Sequence, residues 1–271
     1  MGNNKKKALT AFIAAAAMVF TAVSCSDKKE DSSAANENTA SSEAVTAEDN
    51  TETETIAPEE DEYIKDTISK AEEGVDITPQ PLPESGDISE EWKEIAYEGV
   101  SLRIPPDLEE EEGALSYVKK CYGMEDGFRT AYIVEKMESK CSFYKNYSFP
   151  EITEEAVADA FKELGIEYDG SLLSMYKAVL SLTSEMRTDS NAESFETAML
   201  AKNFMLLHSS EVYYKQINGH DVYFLKSDSS HDGYWSFSVY IFVSDNEFYQ
   251  VQVVGDTLEE AMNMCSTIDI K

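Results

Sequence analysis

Basic residues, cysteine, proline and long apolar runs are all scarce in this chain of 271 residues. Lys and Arg number 22 against 53 Asp and Glu, a formal charge of −31. A surface of that sign repels phosphate backbones, which argues against nucleic acid as a partner. It repels anionic lipid and anionic cell-wall polymers as well. Only four cysteines are present, Cys25, Cys121, Cys141 and Cys265, and no two form a Cys-x-x-Cys pair. The three histidines, His208, His220 and His231, stand far from every cysteine in sequence. The ligand spacing of a structural zinc site is therefore missing, and a domain with so few thiols relies on its core rather than on disulfides. The principal apolar run, Ala8 to Val23, is 16 residues long, short of the roughly 20 that a membrane-crossing helix needs. Phosphate-cradling Gly-x-Gly-x-x-Gly and Walker loops are missing. So are the Gly-x-Ser-x-Gly nucleophile elbow and the Asp-x-Asp-x-Asp-Gly calcium loop. No cofactor is expected.

The short apolar run has a setting. Lys5, Lys6 and Lys7 precede it, and Ala22-Val23-Ser24 close it before Cys25. A positive block, an apolar stretch and a small-residue cleavage point are the order of an export signal. Cys25 directly after a small residue resembles a bacterial lipoprotein signal, in which the thiol takes a diacylglyceryl group and becomes the mature N-terminus. The position three before the Cys, usually Leu in that pattern, is Ala22. The resemblance implies a signal peptide over residues 1–24 and lipidation at Cys25. It implies a place on the outer face of the cytoplasmic membrane of a Gram-positive bacterium. The membrane is then reached through lipid alone, and about two acyl chains suffice for a stable anchor. With Cys25 so assigned, Cys121, Cys141 and Cys265 remain. Three is odd, so at least one thiol is free or pairs between chains, and all three intrachain pairings stay open.

Residues 25–87 read as an acidic tether. From Ser26 to Glu62 the chain is Ser, Thr, Ala, Asn, Asp and Glu, with Val45 and Ile56 almost alone as apolar residues. Such a composition buries too little surface to offset its ordering entropy, so this stretch is expected to be disordered. Tyr63, Ile64, Ile68 and Ala71 share one helical stripe, enough for a turn or two. Pro79, Pro81 and Pro83 then alternate with Gln80 and Leu82, which predicts a stiff extended spacer.

Residues 88–271 are enough for one domain with its own core. Trp92 to Tyr97, the Glu98-Gly99 turn and the alternation of Val100, Leu102 and Ile104 predict a β-hairpin that Pro105-Pro106 ends. Two more strands are expected near Tyr117–Tyr122 and Phe128–Glu135. Thr153 caps a helix whose stripe is Ala156, Val157, Ala160, Phe161 and Leu164, and Gly165 stops it. Helices are expected over Leu172–Leu182 and Ala192–Leu207. In the last third, Glu211–Ile217 meets Asn218-Gly219, a strong hairpin signal, and His220–Lys226 returns. Tyr234–Val243 and Phe248–Val254 are two further strands. Thr257 and Glu260 form the capping box of a closing helix. Strands, then helices, then strands predict an α+β fold, an antiparallel sheet covered by helices.

The Gly-Val-Ser-Leu-Arg-Ile-Pro-Pro strand, the Asn-Gly-His-Asp-Val-Tyr hairpin, the Glu-Phe-Tyr-Gln-Val-Gln-Val strand and the Asp-Thr-Leu-Glu-Glu helix start together resemble the PsbP-like α/β/α sandwich. The likeness runs from about Glu91 to Lys271. It implies a non-enzymatic binding or accessory module and carries no catalytic residue with it.

Catalytic residues are sought in vain by spacing alone. His220-Asp221 and His231-Asp232 are the best pairs, and a surface hydrolase using either His with nearby acids is the alternative reading. Both pairs fall in or beside turns, where His and Asp are ordinary surface residues. Glu109–Glu112 and Glu125-Asp126 are solvated charge runs. Cys121, after Lys119-Lys120, reads as a buried thiol. A transporter's solute-binding protein is disfavoured, because the domain is too short for two lobes. The aromatics Tyr213, Tyr214, Tyr223, Tyr234, Trp235, Tyr240 and Tyr249 offer more. Those that strand alternation places on an open sheet face would form a ligand platform for a protein, peptide or glycan. The plainer reading makes them core.

Overall fold

The computed structural model describes residues 73–111, 116–124, 128–138, 153–206, 209–227 and 233–271. Cys25, Cys141, His208 and His231 lie outside them, as does the helix expected near Tyr63–Ala71. In chain order the strands are β1 (Gln80–Pro81), β2 (Lys93–Tyr97), β3 (Val100–Ile104), β4 (Glu109–Glu110), β5 (Val118–Gly123), β6 (Thr130–Val134) and β7 (Met137–Glu138). Helices α1 (Glu154–Glu163), α2 (Leu172–Ser181) and α3 (Ala192–Met205) follow. Strands β8 (Ser209–Ile217), β9 (His220–Ser227), β10 (Trp235–Phe242) and β11 (Glu247–Gly255) come next, and α4 (Leu258–Ser266) and β12 (Asp269–Ile270) close the chain. The fold is α+β.

Local chemistry accounts for the hairpins. Asn218 and Gly219 both take positive φ, 50° and 86°, the conformation of a two-residue turn whose twist matches that of paired strands. Glu98 and Gly99 do the same between β2 and β3, at 45° and 91°. The helix starts are capped as their sequences dictate. The Thr153 hydroxyl accepts from the Ala156 N–H, and the Ser171 hydroxyl accepts from the Ser174 N–H, both at 3.1 Å. The Thr257 hydroxyl accepts from the Glu260 N–H at 3.1 Å, while the Glu260 carboxylate reaches back to the Asp256 N–H at 2.9 Å.

The strands form a large sheet in the order β1-β8-β9-β10-β11-β6-β5-β4, with β7 also on β11, and a small sheet β12-β3-β2. All pairings are antiparallel except β1 on β8. Alternation along β8–β11 splits the core in two. Val212, Tyr223, Leu225, Tyr240, Phe242 and Phe248 face α1–α3. Val222, Phe224, Phe237, Val239, Ile241, Val251 and Val253 face the small sheet and α4. The central strands β9, β10, β11 and β6 are thus buried on both faces, which explains why β10 and β11 read as near-continuous apolar runs.

One boundary is corrected. Residues 73–87, read as the end of a free tether, are part of the body. Val75 and Ile77 pack on the cluster under α1–α3, and the Val75 N–H points at Met199 Sδ, 3.4 Å away. Asp76 accepts from both the N–H and the hydroxyl of Ser184 at 2.6 Å. Gln80 and Pro81 then pair in parallel with Tyr213 and Tyr214, and the Leu82 N–H donates to the Tyr214 carbonyl at 3.3 Å. Further on, the Gly86 N–H donates to Asn263 Oδ1 on α4 at 3.1 Å. The alternating prolines have a role here that a spacer would not need. In a parallel edge strand only every second residue turns its N–H toward the neighbour, and Leu82 does so. Pro79, Pro81 and Pro83 fall on the outward positions, where no donor is missed. An edge without outward N–H groups is a poor template for further strands.

Candidate functional site

The aromatic positions considered as a platform do not share an open face. Tyr223, Tyr240 and Tyr249 are only 4%, 3% and 6% exposed. Tyr223 and Tyr240 point toward the helices and pack on Tyr176, ring centroids 5.6 Å apart in each case. Tyr249 points the other way, and its hydroxyl lies 3.2 Å from the Glu98 carboxylate. These three are core, and the physical reason is the second layer: both faces of the central strands are covered. Tyr213, Tyr234 and Trp235 are half-buried.

Tyr213 and Trp235 lie at one corner of the sheet, on the face that meets the small sheet and α4. Trp235 opens β10, and Tyr213 lies two strands away on β8. Lys226 on β9 bridges them. Its ammonium sits 5.3 Å from the centroid of the Trp235 ring and pairs with Glu211, and the Tyr213 hydroxyl donates to the other oxygen of Glu211. The Lys226 ammonium holds the Glu211 carboxyl below the usual range, with the Tyr213 hydroxyl helping. Burial first, and the Glu211 charge second, push the Tyr213 phenol up to about 12. Tyr234 stacks edge-on against Phe128 at 5.1 Å. The corner therefore presents neutral aromatic faces fixed by an internal ion pair. That arrangement suits stacking and hydrogen bonding. Sequence reasoning missed Glu211, Lys226 and Phe128. The signal available for Glu211 and Lys226 was their register across the Asn218-Gly219 hairpin.

The remaining polar clusters tie the fold together. His220 begins β9, half-exposed, opposite Ile217. The neighbouring Asp221 accepts from the Tyr214 hydroxyl at 2.5 Å and pairs with Lys177 at 2.8 Å, so that acid serves the sheet edge and α2. Arg129, 8% exposed, is clamped by Asp107 at 2.5 Å, by Asp256 at 3.5 Å and by both oxygens of Glu260. It joins β6, the β3–β4 loop and the start of α4. Cys121 and Cys265 are buried free thiols facing opposite sides of the sheet. Burial pushes Cys121 up to about 11 and raises Cys265 well above the ordinary thiol value, which disfavours the reactive thiolate at neutral pH. Among the described residues no group of three or more His, Cys, Asp or Glu is arranged to hold a metal ion. No described helix is long and apolar enough to cross a membrane.

Lys202 is the most unusual titratable residue. It stands on α3 wholly buried, and its ammonium donates to the Leu182 carbonyl at 2.5 Å, just past the end of α2. Burial drives its pKa down to about 8, against the opposing pull of Asp76.

No protein-family model and no curated protein matches the chain. Among solved structures, one from Bacteroides thetaiotaomicron VPI-5482 is similar at 12% identity and a TM-score of 0.29. The match covers 67% of this chain and 49% of that one, so the chain spans about half the length of that neighbour.

Proposed function

We propose that this chain is a lipid-anchored extracytoplasmic protein whose body is a non-enzymatic binding module of PsbP-like architecture. The observation that carries the binding reading is the corner of Tyr213 and Trp235, half-buried rings held in place by the Glu211–Lys226 pair. The partner that fits it is a peptide or a glycan, since flat neutral rings stack on either. The layering, with helices on one face of the large sheet and α4 with a small sheet on the other, supports the PsbP-like reading. The anchor rests on the order of lysines, apolar run, small residues and Cys25. The hydrolase alternative needs an acid working with His220 or His231, and Asp221 is committed elsewhere.

Two measurements test the proposal. Cys25→Ala releases the protein from the membrane fraction or leaves it uncleaved; a variant that stays in the membrane at its mature mass removes the anchor. The double variant Tyr213→Ala/Trp235→Ala, still folded, loses retention on a matrix of isolated cell-wall glycan or of mixed unstructured peptides. Equal retention of variant and parent removes the corner.

A further inference from the structure

On the side of the large sheet that faces α1–α3, but toward its β5 edge, three polar atoms lie buried without a hydrogen-bond partner. They are the hydroxyls of Tyr117 and Tyr132 and the side-chain nitrogen of Gln250. Tyr132 on β6 is 2% exposed and Gln250 on β11 is 3% exposed. Tyr132 is the register partner of Gln252, which makes Gln250 its diagonal neighbour on the same face, a separation of about 7–8 Å between Cα atoms. Tyr117 packs with Tyr132, Val134 and Cys121. Next along the strip, Ser238 and Gln252 satisfy one another at 2.6 Å. One partnerless buried group is an oddity; three together on adjacent strands are a costly arrangement for an empty site.

We propose that this strip is a binding site for a small neutral molecule that offers a carbonyl or hydroxyl oxygen to Tyr117, Tyr132 and Gln250. The ligand class follows from the groups. An amide nitrogen can only donate, and each phenol can donate or accept. Burial keeps both phenols protonated through neutral pH. No side chain of the strip carries a charge, so a charged ligand would be buried without a counter-ion. Cys121 beside them is a buried thiol whose pKa burial raises, so it too is uncharged at neutral pH. The site is separate from the aromatic corner, which lies on the opposite face, so either can fail alone.

The test uses the full chain with two probes, acetamide for a carbonyl and glucose for hydroxyls. At tens of millimolar, at least one probe raises the unfolding midpoint of the parent saturably. Its affinity falls at least about fivefold in Tyr132→Phe and in Gln250→Met, the loss expected for one hydrogen bond. Without probe, both variants unfold no earlier than the parent, because each deletes a partnerless group. Should a variant fail to fold, crystals of the parent soaked with each probe decide the matter. Absence of any saturable shift overturns the proposal. So does a high-resolution structure in which ordered water alone, or another part of the chain, occupies those three atoms.

Discussion

Lys202 makes the stability of this protein depend on alkaline pH in a direction opposite to most charge effects. Its ammonium is wholly buried on α3 with the Leu182 carbonyl as acceptor, and its pKa is about 8 where an ordinary Lys has 10.5. Below pH 8 the native state holds a buried charge. Between pH 8 and 10.5 the unfolded chain keeps the proton that the native state has released. The unfolded state then binds more protons, so stability rises with pH in that window. The full shift is worth about 3 kcal/mol, and about 2.5 kcal/mol of it is gained between pH 7 and pH 10. From about pH 9 the buried thiols of Cys121 and Cys265, and above pH 10 the buried phenols of Tyr132, Tyr176 and Tyr223, whose pKa values are all raised by burial, pull the total the other way, so the Lys202 contribution is read as a difference between parent and variant. Urea unfolding at pH 7, 8, 9 and 10 reads the effect directly. The stability of the parent minus that of Lys202→Met rises by about 2.5 kcal/mol from pH 7 to pH 10, whereas the parent minus the exposed Lys162→Met stays level. A parent-minus-Lys202→Met difference that does not change with pH would show that the ammonium has a solvated alternative and refute the argument.

The strap predicts its own contribution. A chain beginning at residue 88 lacks the half-buried Val75, Ile77 and Leu82 and is expected to be about 3 kcal/mol less stable than one beginning at residue 73. Equal urea midpoints for the two would put residues 73–87 back in the tether. Glu260→Gln leaves the buried Arg129 with one charged partner fewer, while its amide oxygen can still accept from the Asp256 N–H of the capping box. It is expected to lower stability by about 2 kcal/mol, and double-mutant cycles with Arg129→Met should return a coupling of similar size.

Hairpins and caps were legible because their signals are local. Asn218, Gly219 and Gly99 take the positive φ values their residue types favour, with Glu98 drawn along beside Gly99, and Thr153 and Thr257 cap the helices they precede. The strap was not legible, because an edge strand of two residues has no periodicity of its own. Its prolines suit an isolated extended chain as well as an edge, and only Val75, Ile77 and Leu82 hinted at a surface to cover. The aromatic reading failed for a related reason. Alternation tells which residues share a face, but not that both faces are covered. The second cover is the small sheet, whose third strand, β12, is contributed by two residues at the far end of the chain and pairs with Val100 and Ser101. Lys202 escaped notice because a single Lys on an apolar helix reads as a surface residue until the helix is seen to be enclosed.

Strap and corner meet, and this joins the two ends of the functional proposal. Gln80 pairs with Tyr213, and Leu82 packs on the same apolar cluster that carries Tyr213 and Trp235. The strap of residues 73–87 therefore runs beside Tyr213 on the outer side of β8. Loosening it should open the corner without unfolding the body. Leu82→Ala removes a half-buried side chain, a loss of about 1 kcal/mol, too little to abolish folding. In a Trp92→Phe background Trp235 is the only indole, because the chain has two Trp. Its emission should shift to the red in Leu82→Ala, and a neutral quencher should reach it faster. An unchanged spectrum and quenching rate would mean that Tyr213 and Trp235 are held by the Glu211–Lys226 pair alone, and that the strap closes the sheet edge without shaping the corner.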